Sequence, residues 1–210
     1  MDNLSPEEKR SGTVARILKS AADVFSEVGF AGARVDEIAE RAGVNKAMIY
    51  YHVGDKETLY AEVINNVIGN TAETIARKIQ DIHDPEEKLR IYIRTFARNI
   101  DDNPQVAPIM MREVASGGGH LPEVVARDIF RIVSILQNIL KEGSEQNIFV
   151  ETIPFLIHVM VAGAIITYKT SAPIRARYDW LPKPIKNLSD KISGNIAAEI
   201  EKLILKAVKK

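Results

Sequence analysis

The chain has 210 residues, of which 46% are apolar and 27% are charged. This balance is typical of a soluble globular protein and excludes a largely disordered chain. There is no cysteine, which excludes disulfide bonds and thiolate metal sites. The 28 basic and 28 acidic residues cancel, so any affinity for nucleic acid has to come from the position of its charges rather than from net charge.

The amino-terminal residues 1–12 are polar and predict a disordered tail. They lack the apolar core of a signal peptide. The longest apolar run, 153–168, is shorter than the ~20 residues that span a membrane. It contains Pro154 and His158 and predicts a buried helix. We therefore expect a cytoplasmic protein.

The first predicted helix covers residues 13–28. Its apolar residues recur at steps of three and four, the spacing of a helix with one buried face. They are Val14, Ile17, Leu18, Ala21, Val24, Phe25 and Val28. Gly29 follows and suits a helix end.

Two short helical patterns come next, joined by a turn at residues 42–44. Ala39 offers a small side chain where two helices can cross, and Gly43 accepts the positive φ of a tight turn. A buried wedge would be supplied by Ile38, Val44 and Ile49. This spacing is typical of a helix-turn-helix, whose second helix, here about 46–53, lies in the major groove of DNA.

An ordinary corner between two packed helices is the alternative, and the flanking residues decide between the two. The run 13–60 contains AADVFSEVGF before the turn, IAERAGVNKAMIYYHV across it and GDKETL after it. This run resembles the TetR family of bacterial transcriptional regulators. Beyond residue 60 only length and helical pattern agree. The resemblance implies a DNA-binding domain at 13–54, followed by an effector-binding and dimerisation domain at 55–210.

The rest of the chain predicts further helices. Asp55 caps a fourth helix that continues to about residue 84. Later helices are predicted at 86–100, 104–115, 121–143, 152–170 and 188–208. No stretch alternates apolar and polar residues as a strand would. We therefore predict an all-α fold of about nine helices, with three in the DNA-binding domain.

Candidate DNA contacts lie on the second motif helix and at the starts of its neighbours. Lysine can bind a phosphate or a guanine edge, while alanine and methionine offer apolar surface to a thymine methyl. The candidates are Arg34, Val35, Asn45, Lys46, Ala47, Met48, Tyr50, Tyr51, His52 and Lys56. For Tyr51, packing against the first helix is an equal alternative. His52 can equally hold the end of its helix against the fourth helix.

Two features of this region depart from expectation. The TetR resemblance places a threonine where Arg34 stands, and arginine can bind phosphate but cannot cap a helix. Residues 1–60 carry 8 Lys or Arg against 10 Asp or Glu. We therefore expect few, local phosphate contacts and a modest dependence of affinity on salt.

The carboxyl-terminal half offers apolar helix faces. The 152–170 helix is apolar nearly all round, and the last helix has one apolar stripe, made of Leu188, Ile192, Ile196, Ile200, Leu203, Ile204, Ala207 and Val208. Both can belong to the monomer core. The resemblance implies that the last two helices also pair with a second subunit, with Ile192, Ile196, Ile200 and Leu203 in the interface. A two-fold dimer would bind a palindromic operator in successive major grooves.

The resemblance further implies a repressor that a small-molecule effector releases from DNA. Polar or adaptable residues of the apolar helices are the candidates to line its pocket, although each also fits a core or surface role. They are Tyr92, Phe96, Met110, Met111, Arg112, His158, Thr167 and Tyr168. His158 stands out because a lone imidazole on an apolar helix requires a partner, which a backbone carbonyl could also provide.

Two other classes of function stay open. An all-helical oxygen-activating enzyme would carry Glu-x-x-His pairs, and this sequence has none. Its four histidines are widely separated, so we expect neither a metal nor another cofactor. A helical receptor or adaptor without DNA binding is the third class, favoured by the acidic amino-terminal region.

Overall fold

The computed structural model describes residues 6–183 and 195–210. Within these ranges the regular structure is helical, and the one β-type contact is an isolated antiparallel bridge between Phe149 and Lys209. The predicted all-α fold is therefore confirmed. The helices in chain order are α1 (Pro6–Gly32), α2 (Val35–Ala42), α3 (Lys46–His52), α4 (Lys56–Ile79), α5 (Pro85–Asp102), α6 (Val106–Ala115), α7 (Glu123–Glu145), α8 (Pro154–Thr170), α9 (Ala172–Arg177) and α10 (Ile196–Val208).

Helix α1 begins at Pro6 rather than at residue 13. Residues 6–12 are therefore helical, and the prediction of a disordered tail is wrong for them; residues 1–5 lie outside the described ranges. The sequence places proline at the first helical position and glutamates directly after it, and both favour a helix start. Gly29 interrupts the helical backbone with φ 72° and ψ 177°, at the position where the helix end was predicted.

One long helix connects the two parts of the molecule. Helix α4 packs against α1 on one side and against α5 and α7 on the other. Its start is fixed by Asp55, whose side chain accepts a hydrogen bond from the Thr58 N–H at 2.8 Å. Tyr60, in the first turn and a half, is buried against the rings of Phe25 and Phe30 of α1. A displacement of α4 would therefore change the packing both of α1, in the predicted DNA-binding domain, and of α5 and α7, in the second domain.

Helices α5, α7, α8 and α10 pack on one another, and α6 lies between α1 and α8. The end of α7 depends on a glycine. A Cβ atom at Gly143 would lie 2.0 Å from Cδ2 of Phe149, whose ring is fully buried. Any larger residue at this position would displace the ring from the core.

Helix α10 belongs to the monomer core to a larger extent than predicted. Ile200 is only 5% exposed, so its assignment to a dimer interface is wrong. The reason lies in the next residue: the buried Glu201 carboxylate forms ion pairs with Arg94, at 2.7 Å, and with Arg90, both on α5. Burial raises the pKa of Glu201, but hydrogen bonds from these two arginines outweigh it and hold the pKa below its usual value.

The other interface candidates on this helix differ from Ile200. Leu203 is 63% exposed and remains available to a partner, whereas Ile196 is half-buried against the core. Ile192 lies outside the described residues.

Helix α8 is buried on one side only. Ile157, Val161 and Ile165 lie in the core, whereas four large apolar side chains on the opposite side are about half exposed, namely Phe155, Leu156, Val159 and Met160. The stretch Pro154–Arg177 is also long and apolar enough for a membrane span by length and composition, and 28% of its apolar 18-residue window is buried. The prediction of a buried helix is therefore confirmed in the monomer for one side of α8 only. The core-facing side of α8 packs against α5, α6, α7 and α10.

Candidate functional site

The turn between α2 and α3 has the geometry that its sequence predicts. Gly43 adopts a left-handed conformation, with φ 65° and ψ 38°. Its N–H donates to the carbonyl of Glu40, and the next N–H, of Val44, donates to the carbonyl of Ala39 at 3.0 Å. These bonds end α2 and turn the chain sharply into α3. Ala39 is 4% exposed at the crossing, so a larger side chain would separate the two helices.

The wedge between α2 and α3 is fully apolar. Ile38 and Ile49 are completely buried, and Val44 packs against them at the edge of the core. Val35 also lies in this core, at 9% exposure. Its side chain is therefore taken up by packing at the start of α2, and the predicted contact of Val35 with DNA can involve only its main chain. Only its main-chain N–H, at the first turn of the helix, is suited to face a phosphate.

Helix α3 presents a compact outer face. Ala47, Tyr50 and Tyr51 are exposed, and their spacing of three and four residues puts them on one side of the helix. Tyr51 is 77% exposed and touches His52 edge-on, with ring centroids 5.0 Å apart. The alternative of Tyr51 packing on α1 is therefore wrong. Met48 is half-buried beside this face.

The amino terminus of α3 is held by its own cap. Oδ1 of Asn45 accepts a hydrogen bond from the Met48 N–H at 2.9 Å. The carbonyl oxygen of this side chain is therefore occupied, while its amide group stays available as a donor. His52, at the other end, is half-buried, and its Nδ1 is enclosed without a hydrogen-bond partner among the described residues. Nδ1 cannot reach DNA in this conformation.

Several cations around α3 already have partners within the protein. Lys46 pairs with Asp36 at 3.1 Å, and the ammonium of Lys56 lies 4.5 Å from the ring centroid of Phe30. Arg41 is held between two glutamates, Glu27 and Glu37, at 2.8 and 2.6 Å. These contacts pair three of the ten acidic residues of positions 1–60 with cations.

Arg34 differs from these cations. It precedes α2 as its N-cap, is exposed, and makes no capping hydrogen bond. Its guanidinium has no ion pair within residues 6–183 and 195–210. Arg34 is thus a free cation beside the amino terminus of α2, where backbone N–H groups favour an anion.

A buried polar contact joins α4 to α6. Tyr60 of α4 donates its O–H to Oε1 of Glu113 of α6 at 2.6 Å, and Oε2 accepts from the His120 N–H at 3.2 Å. Burial, followed by the bond to Glu113, raises the pKa of Tyr60. The neighbouring Arg112, predicted as an effector ligand, instead donates to the α1 carbonyl of Glu27 at 2.8 Å. Helix α6 therefore forms hydrogen bonds to both α1 and α4.

A second buried polar contact lies deeper, between α5 and α8. The Tyr92 hydroxyl and Nδ1 of His158 are 2.7 Å apart, with Tyr92 fully buried and His158 8% exposed. Burial lowers the pKa of His158 to about 4, so the imidazole is neutral near pH 7. Phe96 packs edge-on against the imidazole, with ring centroids 5.9 Å apart. The partner that His158 requires is thus a side chain rather than a backbone carbonyl.

His158 lines a cavity of about 60 Å³ enclosed by α4, α5, α6, α7 and α8. Of the predicted effector ligands, the structure brings Phe96, Met110 and His158 to this cavity, with Tyr92 directly behind His158. Met111, Thr167 and Tyr168 do not line it. The other lining residues are isoleucines from α4, α5, α7 and α8 together with one alanine. The sequence carries no signal that separates these from ordinary core residues.

The fold and the outward face of α3 define a helix-turn-helix DNA-binding protein with a separate helical domain. Two sequence families match the chain: "Bacterial regulatory proteins, tetR family" over residues 17–63, and "Tetracyclin repressor-like, C-terminal domain" over residues 85–175. The chain belongs to the TetR family of transcriptional regulators. Its function is the regulation of transcription through DNA binding.

Individual relatives agree with this assignment. The chain is 27% identical over 182 residues to the HTH-type transcriptional repressor NicS of Pseudomonas putida, covering 79% of this chain and 85% of NicS. The crystal structure of HlyIIR, a hemolysin II transcriptional regulator, is 27% identical, with a TM-score of 0.64 over 96% of this chain and 99% of HlyIIR. FadR of Bacillus subtilis in complex with stearoyl-CoA shares the fold, with 22% identity and a TM-score of 0.67 over 91% and 97%.

Proposed function

We propose that this protein is a homodimeric repressor that binds a palindromic operator through α3 and is released from it by a small molecule. The observation that carries the proposal is the outer face of α3, where Ala47, Tyr50 and Tyr51 are exposed above a fully apolar core. Tyr50 and Tyr51 are 49% and 77% exposed, and large exposed aromatic side chains suit a contact with the DNA groove and backbone. The similarity to NicS, named a repressor, supports the direction of regulation.

We select the proposed DNA-contacting residues by the solvent exposure of their side chains. We propose that Arg34 and Lys46 bind phosphates, and that Ala47, Met48 and Tyr50 face the bases and sugars, with Tyr51 at the edge. Asn45 contributes through its amide group, and Lys56 and His52 contribute less. The DNA-binding domain would then end near residue 54. As a DNA-binding regulator of a bacterial type, the protein would act in the cytoplasm.

The dimer is proposed to form through α8. Phe155, Leu156, Val159 and Met160 form an exposed apolar strip on this helix, and an apolar strip of this length is a recurrent feature of subunit interfaces. Among the interface candidates that the structure describes on the last helix, Leu203 of α10 is largely exposed. This arrangement revises the stripe expected on the last helix, of which Ile200, Ile204 and Val208 belong to the monomer core.

A path from effector to DNA is supplied by α6. Met110 lines the cavity, while Arg112 and Glu113, within the next turn, hold α1 and α4. A molecule that enlarges the cavity would displace α6, and with it the contacts that set the orientation of the DNA-binding domain. That FadR of B. subtilis holds stearoyl-CoA supports a buried ligand in this fold.

The test is a fluorescence-anisotropy titration of the purified protein with labelled DNA from its own upstream region. We expect saturable binding that is at least about a thousandfold tighter than to a scrambled duplex of equal length. The variant Tyr50→Ala should abolish most of this preference, while Phe130→Ala, which removes an exposed aromatic on α7, should leave it intact. Equal affinity for both duplexes would favour the adaptor alternative. Since neither an enzyme nor an adaptor needs an operator, this measurement separates a DNA-binding regulator from both alternatives.

A further inference from the structure

The cavity between α4 and α8 contains one polar side chain, and its hydrogen bonding determines which ligands fit. Among the described residues that line the cavity, His158 alone is polar, and none is charged. The chemistry of any occupant is therefore set by the imidazole. The inference that follows deepens the proposed function, because it concerns the ligand class of the proposed effector cavity.

The bond between Tyr92 and His158 can be formed in two ways. Either the Tyr92 O–H donates to Nδ1, or Nδ1 carries the proton and donates to the hydroxyl oxygen. In the second arrangement the Tyr92 O–H would require another acceptor, and within the described ranges its only hydrogen bond is the one to His158. A fully buried hydroxyl without an acceptor is unfavourable by the whole cost of desolvating it. The first arrangement therefore prevails, and Nδ1 is the acceptor.

The tautomer follows directly. A neutral imidazole carries one proton, so His158 has its proton on Nε2. Nε2 has no partner among residues 6–183 and 195–210, and His158 lines the cavity. Tyr92 thus acts as a positioning residue, which fixes His158 as a hydrogen-bond donor. An unused donor against an apolar cavity favours a ligand that brings an acceptor.

The absence of a cation among the described residues that line the cavity, and the size of the cavity, restrict the class of ligand further. A carboxylate or phosphate would lose its hydration without meeting a cation, which is strongly unfavourable in an apolar cavity. The volume of about 60 Å³ corresponds to roughly four to six water-sized groups. We propose that the cavity takes a small, uncharged, mainly apolar molecule with one hydrogen-bond acceptor, such as a carbonyl, which is bound by Nε2–H of His158. Larger members of the class would fit as the cavity expands.

Three probes with equal numbers of non-hydrogen atoms test this class on the intact protein without DNA. Butanone offers a carbonyl, 2-methylbut-1-ene replaces the oxygen by a methylene group, and propionate replaces the ketone by a carboxylate. Binding is followed by the imidazole nitrogen signals of ¹⁵N-histidine-labelled protein in sealed tubes. We expect the Nε2–H tautomer for His158 before any addition. Butanone should bind about fivefold more tightly than the alkene, as one neutral hydrogen bond implies, and propionate should bind least.

Three variants distinguish the contribution of the hydrogen bond to probe binding from the contribution of the cavity volume. His158→Phe should remove the preference for butanone over the alkene, and Tyr92→Phe should weaken it because the tautomer is no longer fixed. Ala162→Leu, which fills the cavity from its wall, should abolish binding of both. The order of affinity of the three probes for the unmodified protein tests the proposal even if a variant does not fold.

Four outcomes would overturn the proposal: an Nδ1–H tautomer, equal binding of butanone and the alkene, preferred binding of propionate, or no binding of any probe. The DNA titration is independent of these results. If butanone binds as expected but the protein stays bound to operator DNA, the proposed ligand class is supported and the proposed release from DNA is contradicted. If operator binding itself is absent, the proposed function fails whatever the probes do.

Discussion

The two halves of this molecule use polar side chains in opposite ways. In the DNA-binding domain the informative polar groups lie at the surface above an apolar core, and their partners within the domain lie at most 14 residues away in sequence. Asn45 caps the residue three positions later. In the second half the informative polar groups are buried and their partners are remote: 66 residues separate Tyr92 from His158, and 107 separate Arg94 from Glu201. The DNA-binding surface is thus determined by residues close in sequence, whereas the cavity is determined by the packing of helices that are distant in sequence.

The largest expected effect concerns the apolar face of α8, which has no counterpart in the DNA-binding domain. Leu156→Glu with Met160→Glu should give a folded monomer, because both side chains are about half exposed. A monomer engages one half-site, so operator affinity should fall by at least about a hundredfold. Light scattering and the anisotropy titration measure the two effects.

The matched control for this prediction is Phe130→Glu, on the exposed side of α7, which should leave the dimer unchanged. If the α8 variant still scatters as a dimer, the subunits meet elsewhere. Replacement of Ile200 is unsuitable as a test, since a glutamate there would be buried in the monomer core and would unfold it.

A second expected effect is a loss of stability at low pH, which would distinguish the buried His158 from polar groups at the surface. The pKa of His158 is lowered by burial to about 4, whereas an unfolded histidine titrates near 6.5. As the pH falls through this window the unfolded state binds a proton that the folded state does not. The free energy of unfolding should therefore fall by about 3 kcal/mol between pH 6.5 and pH 4, of which about 2 kcal/mol is lost above pH 5.

Urea titrations of the unmodified protein and of His158→Phe, at pH 7 and pH 5, measure this loss. The variant should lack the part of the loss that His158 contributes. Tyr92→Phe retains the imidazole and should keep most of the pH dependence. Identical losses in all three proteins would mean that His158 is not the group that titrates.

The same contrast explains which features the sequence could predict. The turn at Gly43 and the caps at Asn45 and Asp55 involve neighbours within five residues, and their residue types determine the geometry. The cavity residues could be predicted only in part: aromatic, methionine and histidine side chains were candidates, but the lining isoleucines look like any core residue. The orientation of α10 depended on Glu201 reaching two arginines of α5, a contact that no local pattern contains.

A smaller effect is expected at Arg34, where the chain departs from its family. Arg34 precedes α2 without making a cap bond, so Arg34→Thr should raise the stability of the protein by about 1 kcal/mol. It should also lower the slope of log affinity against log salt by about 0.9, the value for one phosphate contact. Arg34→Ala is the control, because it removes the charge without adding a cap. Should Arg34→Ala and Arg34→Thr both leave the salt slope unchanged, Arg34 does not face DNA.

The smallest effect concerns Lys46, which the protein already pairs with Asp36 at 3.1 Å. An exposed pair of this kind contributes only ~0.2–1 kcal/mol, so a phosphate can displace Asp36 from Lys46 at little cost. Asp36→Asn removes both the competition for Lys46 and a negative charge beside the DNA, and affinity for any duplex should rise up to about fivefold. The increase should be the same for operator and scrambled DNA, because phosphate contacts carry no sequence information. In the background Lys46→Ala the gain should shrink, since only the repulsion from Asp36 is then left to relieve. An equal gain in both backgrounds would show that Lys46 does not bind phosphate and that Asp36 acts on the DNA directly.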